Sequence, residues 1–199
     1  MIRRTLAGIA AILVTFPLAA AAEDASEEPF HTLRAGAVRP ALDFRLLDEP
    51  TTAPGWAELA DEVVVIDFWA TWCAPCVAAF PKFNELEAAF ADRPVRFISV
   101  TYEPEAMIRP FLAEHRLDTE IGLDNDFATF RSFLAWGIPT VYIFDRQGVL
   151  LSATHPENLS RELIEGALEG EIPAVEQARG WPDPAGAEEY FRSLVTDGG

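Results

Sequence analysis

The chain has 199 residues, half of them hydrophobic, and a formal net charge of -17. That is enough apolar material for one compact domain with a buried core, which sets aside disorder throughout. Lys82 is the only lysine, and so acidic a surface repels phosphate backbones and anionic lipid, which excludes nucleic acid as a natural partner.

The first residues read as an export signal over 1–22. Arg3 and Arg4 precede an apolar stretch from Leu6 to Leu18, interrupted by Pro17, and Ala20-Ala21-Ala22 supplies small residues before the acidic Glu23 and Asp24. The apolar stretch is short for a bilayer span, which needs about 20 residues, so cleavage after Ala22 is expected; an uncleaved membrane anchor is the alternative. No cysteine stands near the cleavage site, so a lipoprotein anchor is not expected. Residues 23–34 form an acidic leader, 35–170 the domain proper, and 171–199 a C-terminal extension broken by Pro173, Pro182 and Pro184. Within that extension, residues 187–195 have helical spacing, with Tyr190, Phe191 and Leu194 on one face that packs back on the domain or docks a partner.

Inside the domain, an entry loop from Ala35 leads into a short strand ending near Leu47, and Trp56 to Leu59 makes one helical turn. Val63 to Trp69 is β-branched, aromatic and almost continuously apolar, as in a strand buried on both faces. A helix starts at or near Cys73: Val77, Phe80, Phe83, Leu86 and Phe90 recur at helical spacing, Glu85, Glu87 and Asp92 face outward, and Pro81 should kink it. Val95 to Val100 is the next strand, parallel to the first across a βαβ unit. A second helix runs from Pro104 to Leu117, opened by the acidic Glu103 and Glu105 and bent at Pro110. Asp124 caps a third helix reaching to about Trp136. Thr140–Phe144 and Val149–Ala153 form a hairpin about the Asp145-Arg146-Gln147-Gly148 turn, and Ser160 caps a last helix, Arg161–Leu168, stopped by Gly170. The sum is an α/β fold: a mixed central sheet with helices on both faces, in three layers.

The chain has two cysteines, and they form a Cys73-Ala74-Pro75-Cys76 motif. A loop this short gains little from closure, so the pair is suited to redox work rather than to stapling the fold. Cys73 falls where a strand passes into a helix, and the free N–H groups and positive end of the helix dipole there favour a thiolate, the nucleophile of disulfide exchange. Cys76, one turn on, is placed to resolve the mixed disulfide. Pro75 suits a first helical turn, where its missing N–H costs nothing, and stiffens the loop. No histidine occupies the two central positions, which argues for the reducing end of the range, nearer about -270 mV than about -120 mV. Asp67 interrupts an apolar strand six residues before Cys73. Burial would raise its pKa and fit it to exchange a proton with Cys76; the alternative is a carboxylate at a wet edge. Ile138-Pro139-Thr140 opens a strand, but cis bonds occupy only about 5–6% of X–Pro bonds, so the residues alone leave the isomer open.

Val65-Ile66-Asp67-Phe68-Trp69-Ala70-Thr71-Trp72-Cys73-Ala74-Pro75-Cys76, then Pro81, then Gly137-Ile138-Pro139-Thr140, resemble the thioredoxin superfamily over about residues 35–169. The leader, the Gly36-Ala37-Val38-Arg39-Pro40-Ala41-Leu42-Asp43-Phe44 entry and the Trp72-Cys73-Ala74-Pro75-Cys76 site look most like its TlpA/ResA-like branch of periplasmic or extracytoplasmic disulfide reductases. The resemblance implies a thioredoxin-like fold and catalytic roles for Cys73, Cys76 and Asp67, the last as the buried proton acceptor. It implies that Pro139 is cis and faces the cysteine pair. Ile138 would then offer backbone hydrogen bonds to an extended substrate, with Trp72 and Pro75 completing the substrate-binding set. It brings protein thiols and disulfides as partners, and no cofactor. A reductase in an oxidising compartment also needs recharging by a membrane electron donor. The chain departs from members close to ResA at Ala79, where those carry a glutamate three residues after the second cysteine; this argues against a dedicated role in cytochrome c maturation.

Three rival readings are weaker. A periplasmic copper-binding or transfer protein could use both thiolates with one of His31, His115 or His155, of which His155 is the best placed, yet no metal site is assigned. A peroxidase of the same broad fold needs a hydroxyl residue three positions before its cysteine, where this chain has Ala70, with Thr71 one step off. A binding module with idle cysteines conflicts with the joint presence of the pair, Asp67 and Pro139.

Overall fold

The computed structural model describes residues 39–49, 53–135 and 137–170. The export signal, the acidic leader, the 171–199 extension and its amphipathic helix lie outside the described residues. The elements run β1 (Arg45–Leu46), β2 (Val63–Phe68), α1 (Ala74–Phe90), β3 (Val95–Thr101), α2 (Glu105–Glu114), β4 (Glu120–Leu123), α3 (Ala128–Ser132), β5 (Thr140–Phe144), β6 (Leu150–Thr154), a 3-10 turn (Pro156–Asn158) and α4 (Arg161–Glu169).

The strands form one mixed sheet of six in the order β1-β4-β3-β2-β5-β6. β2, β3 and β4 run parallel, while β1, β5 and β6 are antiparallel to their neighbours. Every residue of β2 is buried, as expected of a strand at the centre of a sheet covered on both faces. Its alternate side chains go to two cores. Val63, Val65 and Trp69 meet Phe80, Phe83, Leu86 and Phe90 of α1, Ile108 of α2, and Leu163 and Ile164 of α4. Val64, Ile66 and Phe68 meet Phe130 of α3 with Phe133, Tyr142 and Phe144, where Phe68 packs edge-on against Phe130 and Tyr142. The chain therefore has the thioredoxin-like α/β architecture, with α1, α2 and α4 on one face and α3 on the other.

At α4 the expectation holds closely: Ser160 caps the helix by accepting the Leu163 N–H, and Gly170 closes it in the left-handed region at φ 74°, while α1 runs from Ala74 to Phe90 with Pro81 inside it. Others are corrected. β4 was not foreseen; it fills the place between β3 and β1. The third helix does not reach to Trp136. Asp124 accepts the Phe130 N–H across a turn, Phe127 enters the helix at φ 61°, and Leu134 leaves it at φ 52°, so only Ala128–Ser132 is helical. Glu87 does not simply face outward: it is half-buried, and burial pushes its carboxyl above the ordinary range.

Candidate active site

β2 ends at Phe68, and the chain continues through buried Trp69 and Ala70 into a tight turn closed by the Cys73 N–H donating to the Ala70 carbonyl, 3.1 Å. Cys73 is the N-cap of α1, and its Sγ accepts the Cys76 N–H at 3.3 Å. Ala74 and Pro75 occupy the first turn, where proline loses no intrahelical bond. The two cysteines are joined in a disulfide with Cα atoms 5.2 Å apart, and both are buried. When the bond is reduced, the Cys73 sulfur lies at the positive end of a 17-residue helix, within reach of a free N–H, an environment that stabilises a thiolate. The neighbouring Trp72 is 53% exposed, and its Nε1 donates to the Tyr102 hydroxyl at 2.8 Å.

Asp67 lies on the cysteine side of the sheet. It alternates with Val65 and Trp69, which belong to the same core as Cys73 and Cys76. It is 2% exposed, and among the described residues its Oδ1 has no hydrogen-bond partner. Burial alone raises its pKa from 3.8 to about 8. The wet-edge alternative is thus excluded. On β3 the residue level with Asp67 is Ser99, whose Oγ accepts from the Thr119 hydroxyl at 2.8 Å, so the carboxyl sits beside a buried hydroxyl pair rather than a cation.

The Ile138–Pro139 bond is cis. Phe68 is level with Thr140 in the β2–β5 ladder, which brings Pro139 level with Trp69 at the same end of the sheet as Cys73. The Thr140 hydroxyl donates to the Gly137 carbonyl at 2.6 Å and fixes the turn. Cys73, Cys76, Trp72, Pro75, Ile138 and Pro139 thus gather at one end of β2 and β5, with Asp67 on the same face of the sheet as the pair.

By its sequence position Glu103 reads as an opening acid of the second helix. It is instead 4% exposed and turned back toward the cysteine loop, where Oε2 accepts the Thr71 N–H at 2.6 Å and Oε1 the Thr71 hydroxyl at 2.7 Å. That also commits the hydroxyl nearest the place where a peroxidase would need one. The two described histidines have partners away from the pair. His115 stacks on Phe111, and His155 Nδ1 accepts the Glu157 N–H at 3.3 Å, while His31 lies outside the described residues. Among the described residues, no three or more His, Cys, Asp or Glu side chains are grouped to hold a metal ion, and no helix is long and apolar enough to cross a membrane.

The profile of the AhpC/TSA family matches residues 38–153, more than half of the chain. The thiol-disulfide oxidoreductase ResA of Bacillus cereus (strain ZK / E33L) is 26% identical over 113 residues, 56% of this chain and 65% of that protein. ResA of Geobacillus kaustophilus is 25% identical over 128 residues, 62% of this chain and 74% of that protein. The chain thus spans just under two thirds of the Bacillus cereus relative. The crystal structure of the thioredoxin domain of a thiol-disulfide oxidoreductase from Bacteroides vulgatus superposes with a TM-score of 0.58 at 20% identity, covering 70% of this chain and 98% of that one, and shows the shared fold. The chain belongs to the AhpC/TSA family, within the thioredoxin-like fold.

Proposed function

We propose that this AhpC/TSA-family chain is an exported thiol–disulfide oxidoreductase that reduces disulfides of protein substrates through a Cys73/Cys76 dithiol–disulfide cycle. The observation that carries the reading is the stacking of three features at one sheet end: a cysteine pair at a helix N-terminus, a buried carboxyl with its pKa raised to about 8 on the same face, and cis-Pro139 level with the strand that delivers the pair. The ResA relatives, named as thiol-disulfide oxidoreductases, support the same chemistry.

In the reduced protein the Cys73 thiolate attacks one sulfur of a substrate disulfide. A mixed disulfide forms and the other substrate sulfur leaves as a thiolate, which takes a proton from solvent. Cys76 then gives its thiol proton to the Asp67 carboxylate and attacks Cys73 Sγ. The Cys73–Cys76 disulfide forms, the mixed disulfide breaks, and the second substrate thiol departs with a proton returned through Asp67. Two electrons pass from the dithiol to the substrate, and a dithiol donor at the membrane restores the pair. Trp72 and Pro75 on one side and Ile138 and Pro139 on the other form the walls between which an extended substrate segment lies. The basic, apolar and small-residue pattern of residues 1–22 supports an extracytoplasmic location.

The test is a Cys76→Ser variant offered a disulfide-bearing protein such as insulin. A mixed disulfide through Cys73, resolvable by dithiothreitol and absent from Cys73→Ser, is expected. Equal trapping by both variants, or by neither, sinks the assignment.

A further inference from the structure

Thr71 is the middle of the turn that aims Cys73, since the Cys73 N–H closes that turn on the Ala70 carbonyl. Both hydrogen-bond donors of Thr71 are held by Glu103, one on each carboxylate oxygen, at 2.6 and 2.7 Å. Glu103 is itself tied down. Its N–H donates to Thr101 Oγ1 at 3.3 Å, that hydroxyl lies 3.4 Å from Oε2, and its carbonyl accepts from Asn125 Nδ2 at 3.1 Å. Among the described residues no arginine or lysine forms an ion pair with it. A carboxylate 4% exposed, used only as an acceptor and bound to the residue two positions before the nucleophile, is a costly choice if the aim is only to hold a turn, which a neutral side chain could do.

We infer that Glu103 is a positioning residue for Cys73 whose buried negative charge biases the Cys73/Cys76 couple toward the disulfide, making the protein a stronger reductant. The inference rests on the thiol–disulfide reading of the pair. The sign follows from the charges. Reduction of the disulfide by two thiols yields a Cys73 thiolate, whereas the disulfide form is neutral there. A fixed negative charge nearby therefore opposes the reduced form alone. The exchange in which the reduced protein gives two electrons to glutathione disulfide, forming its own disulfide and two glutathione thiols, is pulled forward. A unit charge held beside the turn that carries a thiolate, with the shielding usual for a partly covered site, changes an equilibrium constant by about threefold to tenfold.

The experiment is equilibration of the full chain and of Glu103→Gln against glutathione buffers at pH 7, with the rate of Cys73 alkylation by iodoacetamide as a second readout. Glu103→Gln keeps the size of the side chain and one acceptor and removes the charge. Its equilibrium constant for giving up electrons falls threefold to tenfold, which is a potential about 15–30 mV less negative, and Cys73 alkylates correspondingly faster at pH 6. Glu103→Asp, which keeps the charge, stays within twofold of the parent. A merely structural role destabilises oxidised and reduced forms alike and leaves the constant unmoved, so an unchanged constant in a folded Glu103→Gln overturns the inference. Should Glu103→Gln fail to fold, Thr71→Val is measured instead. Releasing one oxygen lets the carboxylate turn toward water, and the constant then falls at least twofold; no change there overturns the inference equally. A parent chain that exchanges with glutathione while the variants match it defeats this inference alone, whereas a parent that does not exchange at all defeats the functional reading with it.

Discussion

Replacing Asp67 with asparagine removes a carboxyl that the fold holds neutral against its ordinary tendency. Burial raises its pKa from 3.8 to about 8, a shift of about four units. At about 1.4 kcal/mol per unit, that shift corresponds to about 5–6 kcal/mol for carrying this group in the ionised state. The native state keeps a proton that the unfolded chain releases, so the folded protein loses stability as pH rises from about 4 to about 8, and the loss is complete above the folded pKa. Glu87, Glu120 and Asp124 also have pKa values raised by burial and add their own losses. The difference between the parent and Asp67→Asn cancels them. Denaturant unfolding of both proteins in the disulfide form, at unit steps from pH 4 to pH 9, isolates the Asp67 contribution. The advantage of Asp67→Asn over the parent grows by about 5 kcal/mol between pH 4 and pH 8 and then levels. A difference that stays constant with pH refutes the claim that Asp67 is buried and neutral, whatever the offset between the two proteins.

The proton transfer assigned to Asp67 predicts that release of substrate from the mixed disulfide speeds up with pH toward about 8 and levels beyond it; stopped-flow measurement of resolution should find this dependence lost in Asp67→Asn, with the rate lower throughout. Ser160→Ala removes the side chain that accepts the Leu163 N–H at the start of α4 and should cost about 1 kcal/mol in urea unfolding without altering the redox equilibrium.

The parts legible from sequence were those whose signal is local and dense. β2 and β5 are densely apolar and β-branched or aromatic, α1 begins at a cysteine-proline turn, and α4 carries its own serine and glycine caps. β4 escaped because it has four residues, one of them Gly122, which reads as a breaker. That glycine serves packing instead: a Cβ there would lie 2.9 Å from the Phe44 ring. The third helix was overextended because nothing in its residues announces that Phe127 and Leu134 adopt left-handed backbone, a conformation bulky side chains rarely take. In the site, Cys73, Cys76, Asp67 and Pro139 could be named because each breaks or marks its own segment. Glu103 could not. Its meaning depends on Thr71, 32 residues earlier in the chain and brought beside it only when β3 pairs with β2. A carboxylate next to a helix start looks like a dipole partner until the tertiary structure turns it inward.

The central claim, that the Cys73/Cys76 pair works as a reductant, is tested most directly by its reduction potential, measured by equilibrating the full chain with graded glutathione or dithiothreitol buffers. The account predicts a value at the thioredoxin end of the range, near about -270 mV; a value near about -120 mV would contradict it and make the protein a donor of disulfides.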